Sequence, residues 1–250
     1  MKVSCIIPAY QRLDLVTQCL ASVVAQSNVA LEIIVTDDTP GSAISDAARS
    51  WRNEGLRYVD GPRTGNPVDN WNHGLAQATG EACVVVHQDE WFAEPGFLAR
   101  AVALLQRTGA SAVLGGVKVD GAVRRSNFAF ARRTAVALGQ PLWLLPLVNW
   151  MGPTAAFISR GRHHRFDPDL VQLVDVDFYR RVARDGPVAI LTGAGVGSLG
   201  HHDDRITARI DPLAAARSDL RKLRNRVPPG ISTAAFHGFD ACFRVAAWRR

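Results

Sequence analysis

Apolar and polar positions alternate in two different rhythms along this chain, and the two rhythms take turns. Lys2 to Pro8 is an almost unbroken apolar run and predicts a buried strand that Pro8 ends. Asp14 to Ala25 carries apolar residues at 15, 16, 20, 23 and 24, a helical spacing. Leu31 to Val35 predicts a second strand ending in Thr36-Asp37-Asp38, Ile44 to Trp51 a helix, and Leu56 to Val59 a short third strand. Gly61 to Pro67 reads as a turn. Asn70 to Ala78 predicts a helix closed by a left-handed Gly80, and Ala82 to Val86 a fourth strand. A further helix includes Phe97 to Leu105. Strands alternating with helices predict an α/β fold, a doubly wound and mostly parallel sheet. The strand-end turns at 8–12, 36–41 and 87–91 should then gather on one edge, where such sheets bind ligands.

The stretch Val84 to Trp91 organises the rest. A β-branched strand runs into His87-Gln88-Asp89-Glu90, and a carboxylate fixed there can hold a hard cation, which can hold a diphosphate. The first turn, Pro8 to Arg12, has no glycine, and neither GxGxxG after the first strand nor GxxxxGK[ST] anywhere occurs. That argues against hydride-transfer Rossmann enzymes and P-loop NTPases.

Composition changes the picture in three places. The chain has 250 residues, 47% of them hydrophobic, enough for one large α/β domain or two small ones. The net charge of +6 is uneven: residues 205–250, with ten Lys/Arg against three Asp/Glu, carry +7, and the remainder sums to −1. A near-neutral domain with a basic tail is no nucleic-acid-binding core. Cys5, Cys19, Cys83 and Cys242 lack ligand-like spacing and read as buried apolar residues in a reducing compartment. The N-terminus is no signal peptide, and the apolar stretch Pro141 to Ile158 is too broken to span a lipid bilayer, so a cytoplasmic location is expected.

Four segments in order resemble the family 2 inverting glycosyltransferases of the GT-A fold, over roughly residues 3–207. They are VSCIIPAYQRLDLVTQCLASVVAQ, EIIVTDDTPGS, GNPVDNWNHGLAQATGEACVVVHQDEW and LVDVDFYRRVAR. The third is similar to a branch with HQDD where most relatives have DSDD. The resemblance implies a GT-A Rossmann-like domain over 1–207, with a nucleotide-binding half at 1–92 and an acceptor-side half at 93–207. The basic helical extension at 208–250 lies beyond it. It also implies that Pro8, Ala9, Tyr10 and Arg12 line the nucleotide pocket, that Asp38 accepts from the imide N–H of a uracil or thymine, and that Asn72 lies near the nucleotide. His87, Gln88 and Asp89 replace the Asp-x-Asp motif, and Asp89 binds Mg2+ or Mn2+. His202 falls next to the diphosphate as a second metal residue, and Asp175 takes the place of the catalytic base.

The implied activity moves a sugar from a UDP- or TDP-sugar to the hydroxyl of a sugar or glycoconjugate acceptor. Two rivals stand beside it: an inactive sugar-nucleotide binder, kept open by His87, Trp71 and Val174, and a sugar-1-phosphate nucleotidyltransferase. Each residue also has a plainer reading. Asp89 or Glu90 would cap the following helix, and Asp37 or Asp38 would make an Asx turn. Trp71 would pack on its helix, and Asp177 would form a surface pair with Arg180 or Arg181. His201 to Asp204 and the basic loop Arg160 to Arg165 would be solvated turns. The 127–150 segment, with Trp143 and Trp150, is expected to shape the acceptor side. The helices at 213–227 and 234–250 would pack on the domain or a second copy, or meet an anionic membrane surface from its inner face.

Overall fold

The computed structural model describes residues 1–51, 55–119, 122–123, 152–199 and 211–224. His202, Trp143, Trp150, Cys242 and the 234–250 segment lie outside the described residues.

The first half follows the predicted alternation. β1 (Lys2–Ala9), α1 (Leu13–Val24), β2 (Ala30–Asp37), α2 (Ala43–Ala48), β3 (Leu56–Asp60), α3 (Pro67–Gln77) and β4 (Ala82–Val85) succeed one another. The second half adds β5 (Glu90–Phe92), α4 (Phe97–Thr108), β6 (Ala112–Val119) and β7 (Ala122–Val123). A 3-10 turn (Thr154–Ala156), β8 (Phe157–Arg160), α5 (Val174–Val182), β9 (Val188–Ser198) and α6 (Pro212–Arg224) follow. The sheet order is β3-β2-β1-β4-β8-β6-β9-β5, with β7 beside β6. β1 to β4, β6 and β9 run parallel, and β5, β7 and β8 run against them. This is the mixed, mostly parallel α/β sheet of a GT-A Rossmann-like fold.

Pro8 does not end β1: it stays in register with Thr36, and Ala9 pairs with Asp37. The reason lies in which way its missing N–H would face. The Ile6 carbonyl accepts from Val86 N–H on the β4 side, so Pro8 turns its nitrogen to that side too. Pairing with β4 has already stopped at Ile6–Val85, and no ladder bond is lost.

Gly80 is not left-handed either, since it is absent from the residues of positive φ. α3 ends in an extended Ala78 instead. Gly80 is needed for space: a Cβ there would sit 2.7 Å from Ser4 Oγ and 2.8 Å from the Lys2 carbonyl. A helix start is better read than this stop. Asn66 caps α3 by accepting from Val68 N–H, and Pro67 occupies the first turn.

The core runs through the sheet and both helix layers, with Ile6, Ile7, Ile34, Leu98, Leu105, Leu114 and Ile158 almost wholly enclosed. Cys5, Cys19 and Cys83 are buried free thiols, and burial pushes each of them up in pKa. α3 lies close on the sheet because Gly74 has no side chain. A Cβ there would be 2.5 Å from Ile6 Cγ2 and 2.9 Å from Thr36 Cγ2. Gly74→Ala should therefore destabilise the protein by about 1–3 kcal/mol despite alanine's better helix propensity. Urea unfolding of the two proteins checks the sign.

Candidate functional site

The carboxyl ends of β1, β2 and β4 meet as expected, and three hydrogen bonds lock their turns together. Tyr10 N–H donates to Gln88 Oε1 (2.9 Å), Gln11 N–H to Thr39 Oγ1 (2.8 Å), and Asp38 N–H to the Ala9 carbonyl (3.1 Å). Gln11 sits at φ 60°, a left-handed bend that turns the chain sharply into α1. Pro8 and Ala9 are buried floor, while Tyr10 stands half exposed at the rim. Arg12 grips Asp14 through two bonds of 2.9 and 2.7 Å, and that guanidinium holds the Asp14 carboxyl down to about 2.

The two adjacent aspartates divide the work. Asp37 is buried; it accepts from Thr39 N–H (2.8 Å) in an Asx turn and from the Tyr58 hydroxyl (2.9 Å). Asp38 accepts from Arg63 N–H (2.8 Å) and is only half buried. A Cβ on Gly61 would collide with Asp38 Oδ1 at 2.2 Å, so glycine makes room for this carboxylate. Beneath them lies Asn70, which sequence reading passed over. Its amide donates to the carbonyls of Thr36 (3.1 Å) and Ala9 (3.4 Å) and accepts from the Thr36 hydroxyl (2.7 Å). Asn72 faces elsewhere. It donates to the Phe166 carbonyl and accepts from Phe166 N–H, both at 2.8 Å. A nucleotide contact through those atoms would cost both bonds.

After β4 the chain turns at His87-Gln88-Asp89 and returns as β5, which pairs with β9. Leu199 N–H donates to the Asp89 carbonyl (2.9 Å) and fixes the turn from the far side. Neither Asp89 nor Glu90 caps α4; Gly96 occupies that position. Glu90 is buried. Its Oε2 accepts from Ala155 N–H (2.9 Å), the Thr154 hydroxyl (3.1 Å) and His87 N–H (3.2 Å). Burial, then the charge of Asp89, raises its pKa. Burial also holds the His87 imidazole below its usual range, against the pull of Asp89, so it is neutral at pH 7. Its ring lies 4.5 Å from the Trp71 ring, and its buried Nε2 has no hydrogen-bond partner among the described residues. Trp71 thus packs on His87 and, edge-on, on Phe166.

Asp175 stands in the first turn of α5, half exposed, and its Oδ1 accepts from Val176 N–H (2.8 Å). The buried Tyr179 phenol is pushed up first by burial, then by the charges of Asp175 and Glu90. One enclosed side chain therefore feels carboxylates from both halves of the chain. Asp177 is not a surface residue. It is 1% exposed and pairs with Arg180 (3.2 Å) and Arg181 (2.7 Å). The basic loop is also more than a solvated turn. Arg160 donates to the carbonyls of Ala110 and Leu105, and Arg162 to that of Ala78, closing the ends of α4 and α3.

α5 is anchored by a residue that no local pattern reveals. Asp219 of α6, wholly buried, accepts three consecutive backbone N–H groups through Oδ2. They belong to Val171 (3.0 Å), Gln172 (2.7 Å) and Leu173 (2.9 Å), the approach to α5. The near-buried Leu223 joins the core as well. The described part of the basic extension is thus packed on the domain.

The family model described as glycosyl transferase family 2 matches residues 4–160, well over half of the chain. The chain belongs to glycosyl transferase family 2. No curated protein matches it significantly. Among solved structures, S. aureus TarS 1-349 in complex with UDP-GlcNAc superposes with a TM-score of 0.74 at 16% identity. That match covers 96% of this chain and 71% of TarS 1-349. A longer S. aureus TarS structure gives 0.68 at 17%, covering 96% of this chain and 43% of its own length. The mannosyltransferase PcManGT from Pyrobaculum calidifontis, in complex with GDP-Man and Mn2+, gives 0.70 at 20%, covering 98% and 74%. At these identities the likeness is one of fold. Among the described residues no helix is long and apolar enough to cross a membrane.

Two stability predictions follow from the buried carboxylates of this glycosyltransferase. Asp219→Ala orphans three amides and should cost about 3 kcal/mol. Hydrogen exchange should rise first at residues 171–173. Glu90→Gln keeps an acceptor for its three donors. A carboxyl with a raised folded pKa stabilises fully at low pH and less as pH climbs past the ordinary carboxylate range. The glutamine variant should therefore show a flatter fall in Tm between pH 5 and pH 8 than the wild type.

Proposed function

We propose that this glycosyltransferase moves a sugar from a nucleoside diphosphate donor to an acceptor hydroxyl with inversion at the anomeric carbon. The observation that carries this reading is the convergence of carboxylates at one edge of the sheet. Asp89 acts on its neighbour Glu90, and Glu90 from the first half and Asp175 from the second both act on the buried Tyr179. Ligands in open α/β sheets lie outside that edge.

Asp38 is the reader of the base. Asp37 is committed to its Asx turn and Tyr58, whereas Asp38 reaches the rim. A carboxylate there accepts the imide N–H of a uracil or thymine, which favours UDP- or TDP-sugars. Pro8, Ala9 and Tyr10 wall the base and ribose, and Arg12 and Gln88 hold the loops that frame them. The imidazole of His87, buried against Trp71 with Nε2 unpartnered among the described residues, belongs to the nucleotide side of the site in this reading.

The residues fit a divalent cation. Asp89 offers a hard carboxylate that suits Mg2+ or Mn2+, and the imidazole of His87 beside it keeps one ring nitrogen, Nε2, without a hydrogen-bond partner among the described residues. Such a cation, held by Asp89 and by His202 from outside the described residues, would offset charge on the departing diphosphate. Asp175 takes the acceptor hydroxyl proton as the bond to the anomeric carbon forms. The carboxylates around the pocket favour the positive charge that develops on the sugar ring. A sugar or glycoconjugate acceptor and cytoplasmic action belong to the same proposal, with the basic α6 region as a candidate contact for an anionic membrane.

A thermal-shift panel of UDP-, TDP-, GDP- and CDP-sugars, with and without Mn2+, tests donor and metal at once. UDP- or TDP-sugars with Mn2+ should raise Tm most. Asp89→Ala should abolish the Mn2+-dependent shift. Asp175→Ala should keep the shift and lose about a hundredfold or more in transfer. Near-normal turnover in either variant overturns its role. Metal-dependent binding without any turnover in the wild type would make the protein a sugar-nucleotide binder instead.

A further inference from the structure

The opposite edge of the sheet holds a second cluster, built on the loop after β8 and the turn after α5. β8 runs against β4, with Arg160 beside Ala82, so the loop after β8 emerges where β4 begins. Gly161 N–H donates there to the Glu81 carbonyl (2.7 Å). The turn at 183–187 meets the same edge, because Ser111 N–H donates to the Pro187 carbonyl (2.9 Å) just before β6. His163 Nε2 lies 3.0 Å and His164 Nε2 2.6 Å from one and the same oxygen, Oδ2 of Asp185.

Neighbouring residues in extended chain point apart. Here the loop overcomes that, and the two rings lie 4.2 Å centre to centre. Gly161, at φ 78°, supplies the bend, and a Cβ on it would crowd His163 Nδ1 at 3.2 Å. His164 is mostly enclosed and meets Phe178 of α5 edge-on. Ligand atoms of the three residues all lie within 4.8 Å of one another. The arginines of this loop face other groups: Arg162 donates to the Ala78 carbonyl and Arg165 to those of Arg162 and His164.

We propose that His163, His164 and Asp185 bind a borderline divalent cation, Zn2+ foremost, at this edge. Two imidazoles and one carboxylate select Zn2+, Co2+ or Ni2+ over Mg2+, and three protein ligands leave a fourth position for water. The gaps of 2.6 and 3.0 Å would open to about 3.3 Å, the separation of two ligands held about 2.0–2.1 Å from a tetrahedral ion, a change that side-chain rotation at an exposed loop can supply. On binding, each neutral imidazole carries its proton on Nδ1 in place of Nε2, which frees Nε2 to ligate. The ion ties the loop after β8 to the end of α5. It is independent of the donor site and of the reading given for it.

The test is a Zn2+ titration of the full chain, stripped of metal, followed by calorimetry and by Tm. The wild type should take up one tight equivalent and melt higher. His164→Ala and Asp185→Asn should each weaken that equivalent at least ~10-fold and lose the Tm rise. Asp185→Asn keeps an acceptor oxygen for both rings, so its metal-free Tm should stay near that of the wild type. Asp89→Ala should leave the equivalent intact. Absence of a tight equivalent in the wild type, or its survival in both cluster variants, overturns the site.

Discussion

The buried carboxyl of Glu90 is the contact that joins the turn after β4 to the second half of the chain. Its Oε2 holds His87 N–H from the turn it follows, and Thr154 and Ala155 from the turn before β8. That bridge ties the reversal after β4 to the turn before β8, as the Leu199 bond to the Asp89 carbonyl ties it to the end of β9. Asp89 lies beside Glu90, and burial together with the charge of Asp89 makes Glu90 costlier to ionise. The arrangement keeps the Glu90 carboxyl protonated well into the neutral range, as an enclosed acid next to a second one. Such stored electrostatic cost is characteristic of sites built for a charged ligand.

The two halves of the chain serve this edge differently. In the first half, short parallel strands deliver their ends in register, and Asn70 staples α3 to two of those ends. In the second half, the edge is reached by an antiparallel strand, a 3-10 turn and the start of α5. The aromatic row of Trp71, Phe166 and Phe178 fills the seam, with the last two rings stacked at 4.2 Å. Asn72 braces that seam through the Phe166 backbone. A first-half residue can thus set the position of the second half through its backbone alone.

Most of the first half was legible in the sequence, because period and turn residues are local signals. The strand-end clusters at Asp37-Asp38 and His87 to Glu90 needed only that alternation to be placed on one edge. Where local rules failed, a distant residue decided. Pro8 stays in β1 because β4 stops short of it, and Gly80 is demanded by Ser4 and not by a helix end. Asp177 looked like a surface partner for arginines, yet tertiary packing encloses it. Glu90 and Asp219 accept from residues 64 and 65 or 46 to 48 positions away. No window of sequence contains both ends of such bonds.

The grip of Asp219 on the amides ahead of α5 has a mechanical meaning. It joins the C-terminal region to the helix that presents Asp175, through a hub with no solvent around it. A load carried by α6 is thereby passed to the three amides that lead into α5. Tension on α6 would be transmitted as a shift at residues 171–173, and a substitution that loosens α6 would slacken that approach with it.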